Sequence, residues 1–100
     1  MINSRSKGHA FELKVIAKLK QLGYKAVSSR SESKNMDDAG VDIIDSTPFL
    51  FQCKKTERQP NLDAVLEHMP TDAPRAVIHA RNNKEALVTM TWADWAKMAL

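Results

Sequence analysis

Residues 41–44 and 49–54 are two short runs rich in β-forming side chains, and Asp45-Ser46-Thr47-Pro48 lies between them. Asp, Ser and Pro favour a chain reversal, because their side chains bond the local backbone or preset φ. The pattern predicts a β-hairpin. This hairpin constrains the chain more than any other feature, since alternate strand residues face opposite sides and a one-residue slip would exchange the faces. A turn centred near Thr47 sets Ile44 opposite Leu50 and Asp42 opposite Gln52, with Cβ atoms roughly 5 Å apart. Gln52 and Lys54 then share one face with Asp42 beside them. Cys53 points the other way and reads as a small buried apolar side chain.

The rest of the chain supplies elements to cover that hairpin. Residues 7–22 read as an amphipathic helix with Phe11, Val15, Ile16, Leu19 and Leu22 on one face, closed by Gly23 as a C-cap. Residues 24–28 alternate like a first strand, and residues 29–40, polar and carrying Ser, Asn, Asp and Gly, read as a loop. Residues 61–69 form a second helix with Leu62, Val65, Leu66 and Met69 on one side, ended by Pro70. Residues 76–80 and 86–90 read as strands. Thr91 and Asp94 resemble a capping box with Asp in place of the usual Glu, opening a short C-terminal helix. No repeat or linker interrupts the 100 residues, so residues 1–100 are expected to form one α/β domain. Its predicted order is helix, three-strand meander, helix, strands and C-terminal helix around a mixed sheet.

Composition narrows the class. With 43% hydrophobic and 27% charged residues the chain fits an ordinary folded domain. No apolar run approaches the roughly 18 residues of a membrane span. No apolar segment follows the basic N-terminus, so no signal peptide is expected. Cys53 has no second cysteine to pair with, which suits a cytoplasmic setting, a phage protein acting in its host cell included. Net charge is +3 and the pI about 9.2, a balance that suits an anionic partner. The basic residues cluster as Arg5 and Lys7, Arg30 and Lys34, then Lys54, Lys55 and Arg58, where a phosphate backbone would pass.

Asp42, Gln52 and Lys54 form a compact polar cluster in the predicted hairpin. Glu12 lies one turn before Ile16, bordering the apolar stripe, and a carboxylate there calls for a cation. Two carboxylates and an amide oxygen are hard donors suited to Mg²⁺ or Mn²⁺. Such a metal lowers the pKa of a bound water and offsets phosphate charge. Lys54 then orients the attacking water or stabilises charge developing on phosphorus oxygens. Those are the parts that phosphodiester hydrolysis needs. The structural alternative is an Asp42–Lys54 salt bridge with Glu12 as a solvated helix residue.

These residues resemble the PD-(D/E)XK nuclease superfamily over about residues 5 to 58. Gly8, Phe11-Glu12, Gly23-Tyr24, Asp38-Ala39-Gly40-Val41-Asp42 and Gln52-Cys53-Lys54 are similar to the catalytic region of Mrr-type restriction endonucleases. Lys7-Gly8 with Glu12, and Asp42-Ile43-Ile44, resemble archaeal and phage Holliday-junction resolvases. The resemblance implies that Glu12, Asp42 and Gln52 bind metal, helped by the backbone carbonyl of Cys53, and that Lys54 is catalytic. The superfamily more often has glutamate where Gln52 stands. Glutamine keeps an acceptor oxygen but removes a charge, so a one-metal or weak-metal site is expected.

The expected function is therefore a Mg²⁺-dependent DNA endonuclease, a homodimer selective for branched DNA, with no small-molecule cofactor. Small size favours that over an Mrr-type sequence- or modification-dependent nuclease, and a non-catalytic DNA-binding module on the same fold is the third reading. Arg5, Lys7, Arg30, Ser31, Ser33, Lys34, Lys55 and Arg58 are the expected DNA contacts. Asp38 is expected to hold the Gly40 turn, and Asp37 and Asp45 to lie on the surface. His9, His68 and His79 lack zinc-site spacing and read as scattered; His9, near Glu12 at the helix start, reads as a surface residue, with a DNA contact as the alternative. Trp92 and Trp95 are expected in the core, or else at a dimer interface.

Overall fold

A computed structural model describes residues 4–46 and 48–99; of Ser4 to Lys7 it describes the backbone alone. The order is α1 (Ser4–Gln21), β1 (Val27–Ser28), α2 (Ser29–Glu32), α3 (Lys34–Asp38), β2 (Ile43–Ile44), β3 (Leu50–Lys55), α4 (Leu62–His68), β4 (Arg75–Ala80), β5 (Leu87–Thr89) and α5 (Trp92–Met98). The strands form a five-stranded mixed sheet in the order β1-β2-β3-β4-β5. β1, β2 and β3 are an antiparallel meander. β4 joins β3 in parallel and β5 returns antiparallel. α4 makes the β3–β4 crossover that parallel pairing requires. The architecture is thus the mixed α/β arrangement expected.

Each face of the sheet carries its own core. Val15, Ile16 and Leu19 of α1 pack with Ile43, Phe51, Cys53 and Ile78 on one side. Val41, Leu66, Met69 and Val77 form the core on the α4 side. α1 ends in a full Schellman motif. Gly23 has φ +103°, its N–H meets the Lys20 carbonyl at 3.0 Å, and the Tyr24 N–H meets the Leu19 carbonyl at 3.1 Å. Leu22 falls past the last helical turn and is 76% exposed, so it leaves the stripe assigned to it.

The predicted loop over 29–40 is instead two short helices. The reason lies in its serines: the Ser28 hydroxyl accepts from the Arg30 amide and caps α2, and the Ser33 hydroxyl accepts from the Met36 amide and caps α3. The first strand pairs over only Val27 and Ser28, where β2 runs opposite. The Gly40 turn is closed by the Asp37 carbonyl, which accepts from the Gly40 amide at 3.2 Å, and Asp38 is exposed. Asp37 is half-buried against the Ser29 hydroxyl, away from the surface role expected. Thr47, the expected turn centre, lies outside the described residues. The register around it is nevertheless the predicted one: Ile43 faces Phe51.

The C-terminal helix does not bury its tryptophans. Trp92 is 79% and Trp95 50% exposed, stacked on each other at 5.4 Å. Asp94 anchors α5 instead. It is 3% exposed and accepts from Arg75 Nε at 2.8 Å and the Arg75 amide at 3.3 Å. Arg75 also donates to the Leu66 carbonyl, so one guanidinium ties α5, β4 and α4. Burial pushes the Asp94 carboxyl up, but the bonds from Arg75 and Thr91 outweigh it and hold the pKa below the ordinary value. A depressed carboxyl contributes stability above its unfolded pKa of 3.8 and loses it as pH falls through the folded value. Asp94→Ala is therefore expected to cost about 3 kcal/mol by urea titration at pH 7, with the difference from wild type shrinking below about pH 4.

Candidate active site

Asp42 sits where the regular pleat breaks. Val41 and Ile43 are both fully buried, yet Val41 belongs to the core on the α4 side and Ile43 to the core under α1. Residues two apart in a regular strand face the same way, so the chain turns over at Asp42. Its backbone shows the same break. The Asp42 amide donates to the Phe51 carbonyl at 2.8 Å, although the Ile43–Phe51 register sets residue 42 across from Gln52. The Asp42 carboxylate then accepts from the Cys53 amide at 2.9 Å. Main chain and side chain together lock Asp42 to β3 between the two faces.

That position lets Asp42 sense groups on both sides of the sheet. Burial is the main cause of its raised pKa. The Cys53 amide lowers it, the Glu12 charge raises it, and Arg30 and Lys54 lower it. Glu12 approaches from α1 and is 1% exposed. It accepts from the Ser28 hydroxyl at 2.7 Å, and the Arg30 guanidinium stands 3.8 Å away. Gln52 and Lys54 approach from the α4 side, where they line a depression with Gly40, Ala64, Val65 and His68. The Gln52 side-chain oxygen is buried without a hydrogen-bond partner. An unmet buried acceptor costs roughly 1–3 kcal/mol and asks for a function.

The structure thus brings Glu12, Asp42 and Lys54 within electrostatic reach and sets Gln52 beside Lys54. Among the described residues no group of three or more His, Cys, Asp or Glu gathers as a metal site. The oxygen set is two carboxylates and one amide. It is chemically suited to one hard cation, and the unmet Gln52 oxygen and the charge crowding at Asp42 fit such an occupant. Cys53 itself faces the α1 core. Its thiol pKa is pushed up by burial, then by Asp42 and Glu12, so it is an inert side chain rather than a nucleophile.

The surrounding residues divide. Arg30 stands at the site through Glu12. Lys55 bonds the Arg81 carbonyl at 3.3 Å. Ser31 bonds the Ser28 carbonyl and Ser33 caps α3. Lys34 and Arg58 are exposed. The side chains of Arg5 and Lys7 lie outside the described residues. Two neighbours escaped the sequence reading. Ser28 reaches Glu12 only because β1 ends beside α1. His68 packs against Gly40 so closely that a Cβ there would come within 2.5 Å of the ring. His9 is half-buried, with Nδ1 buried and unpartnered, not a surface residue. The Gly40 contact had one legible signal, a glycine two residues before Asp42.

Comparison of the chain with models of known protein families, with curated proteins and with solved structures finds no match.

A raised carboxyl favours the fold below its unfolded pKa of 3.8, and that contribution is lost as pH rises through the folded value. Asp42 charge therefore destabilises the native state at neutral pH. Asp42→Asn keeps an oxygen for the Cys53 amide and removes the charge. Thermal melts at pH 7 are expected to show a higher midpoint for the variant, with the gap closing near pH 4. Added Mg²⁺ is expected to raise the wild-type midpoint and leave the variant unmoved.

Proposed function

We propose that this chain is a metal-dependent DNA endonuclease with a restriction-endonuclease-like fold, selective for branched DNA. The observation that carries the reading is the pairing of like charges at Asp42 and Glu12 in a partly sealed site, with Lys54 beside them. Asp94, by contrast, receives a guanidinium at 2.8 Å and no like charge. A like charge that raises a partly buried carboxyl, as Glu12 raises Asp42, is instead a mark of chemistry.

In this reading Glu12, Asp42 and the Gln52 oxygen hold one Mg²⁺ or Mn²⁺, with the Cys53 carbonyl as the backbone ligand. The bound ion supplies an acidified water and offsets phosphate charge. The chain's own residues do the rest. The Cys53 amide fixes one Asp42 oxygen and so aims the other. Ser28 and Arg30 orient the Glu12 carboxylate. Lys54 presents its ammonium group to the phosphate oxygens or the attacking water. Arg30, Lys34, Lys55 and Arg58, with Arg5 and Lys7, carry the DNA backbone past the site. Ser31 and Ser33 add polar contacts from the α2–α3 segment.

Two sites in a homodimer would cut two strands symmetrically. The exposed Trp92–Trp95 pair beside the edge strand β5 supports self-association. No helix among the described residues is long and apolar enough to cross a membrane.

With Mg²⁺, four-way junctions are expected to be nicked at least ~100-fold faster than plain duplex, and Asp42→Ala and Lys54→Ala to lose at least ~1,000-fold, the scale of lost transition-state contacts. Equal rates on junction and duplex would exclude the resolvase reading. Faster cutting of methylated duplex would favour the Mrr-type alternative. Binding without cleavage would leave a DNA-binding module on the same fold. Gln52→Glu adds one charge to the oxygen set and is expected to tighten Mg²⁺ binding by calorimetry; loss of binding would contradict the one-metal site.

A further inference from the structure

α1 lies over β1 and β3, and β4 continues beyond it. Between α1 and residues 84–86 runs an open groove of about 640 Å³. Its floor is apolar: Phe11, Val15, Leu19, Ile78, Ala80 and Ala86. Its rim is cationic, with Lys14, Lys18, Lys55 and Lys84 against the single acid Glu85. Lys55 is held in place, its Nζ 5.5 Å from the Phe11 ring centre. Leu22, 76% exposed, closes one end. Apolar surface framed by charge marks a binding face rather than plain solvent-exposed surface.

The charges say which occupant fits. Lys14 and Lys18 are one helical turn apart on the same flank, so positive charge repeats about every 6 Å along the groove. A ligand with one anionic head would meet only one of these lysines. A nucleic-acid backbone would lay phosphates over an apolar floor. A second copy would bring the same lysines against their like. We infer that the groove receives an acidic amphipathic helix of a partner protein, its apolar stripe on the floor and its carboxylates spaced one turn apart along the lysines. The groove is distinct from the residues assigned to cleavage, apart from Lys55 at its end.

The test is fluorescence anisotropy with a labelled helical peptide about 18 residues long, roughly five turns, bearing leucines on one face and glutamates on both flanks. Saturable binding to the wild-type chain is expected. Lys14→Glu with Lys18→Glu should weaken it at least ~10-fold, about 1.4 kcal/mol, and a lysine-flanked peptide should recover binding to that variant. Leu22→Ser, at an exposed position, should weaken it a few-fold. Circular dichroism checks that both variants keep the wild-type fold. The inference fails if no saturable binding occurs, if the peptide with serines for leucines binds equally well, or if laurate displaces the peptide. No metal enters the assay and no cleavage is read, so its failure leaves the nuclease reading standing, and the reverse.

Discussion

The turnover of the chain between Val41 and Ile43 is the constraint on which the rest of the site depends. Both side chains are sealed, but in cores on opposite sides of the sheet. A regular strand would put both on one side and hide the residue between them on the other. Here the residue between is Asp42, and the break leaves its carboxylate at the seam. From the seam it reaches the Cys53 amide and shares a field with Glu12 from the α1 side and Lys54 from the α4 side. With a regular pleat, Asp42 would face one of these groups and be screened from the other by the sheet. Two hydrophobic cores thus hold in place an electrostatic arrangement that neither core would create alone.

Asp94 and Asp42, two of the carboxylates that this fold draws away from water, make an internal comparison. Asp94 receives a guanidinium at 2.8 Å, and its pKa falls although burial opposes it. Asp42 receives a backbone amide and a like charge, and its pKa rises with burial as the main cause. Desolvation acts the same way on both, so the partners decide the sign. A matched carboxylate strengthens the fold. One whose burial outweighs its partners, as at Asp42, is a standing cost to the fold at neutral pH. The unpartnered Gln52 oxygen is a second such cost in the same place.

Much of this was legible in the sequence, and the parts that were not share a cause. The hairpin register followed from turn chemistry and alternation, and the start of α5 from Thr91, whose side chain does cap that helix. Each of these signals is local. Residues 29–40 misled because Ser, Asn and Asp serve loops and helix caps alike; which role wins depends on whether one more turn of helix can pack. Trp92 and Trp95 misled because apolar character says what burial would gain, not whether a neighbour is present to bury it. The face switch at Asp42 was illegible for the same reason. Alternation predicts a pleat, whereas the break arises from two cores competing for adjacent side chains. Arg75 shows the limit most clearly, since its bonds to α5 and α4 join residues 9 and 19 positions away.

Two adjacent lysines of β3 stand in different surroundings, and geometry separates them. Lys54 points to the α4 side, beside an unmet amide oxygen and within the field of Asp42. Lys55 points to the α1 side, resting over the Phe11 ring at the head of an apolar groove. Adjacent strand positions must face opposite ways, so the two ammonium groups open onto different faces of the sheet. Positive charge near concentrated negative charge is suited to holding and polarising a small anionic group. Positive charge strung along apolar surface is suited to a long partner that is both greasy and acidic. The alternation of β3 therefore does more than bury Phe51 and Cys53: it divides one basic sequence into two surfaces with different chemical demands.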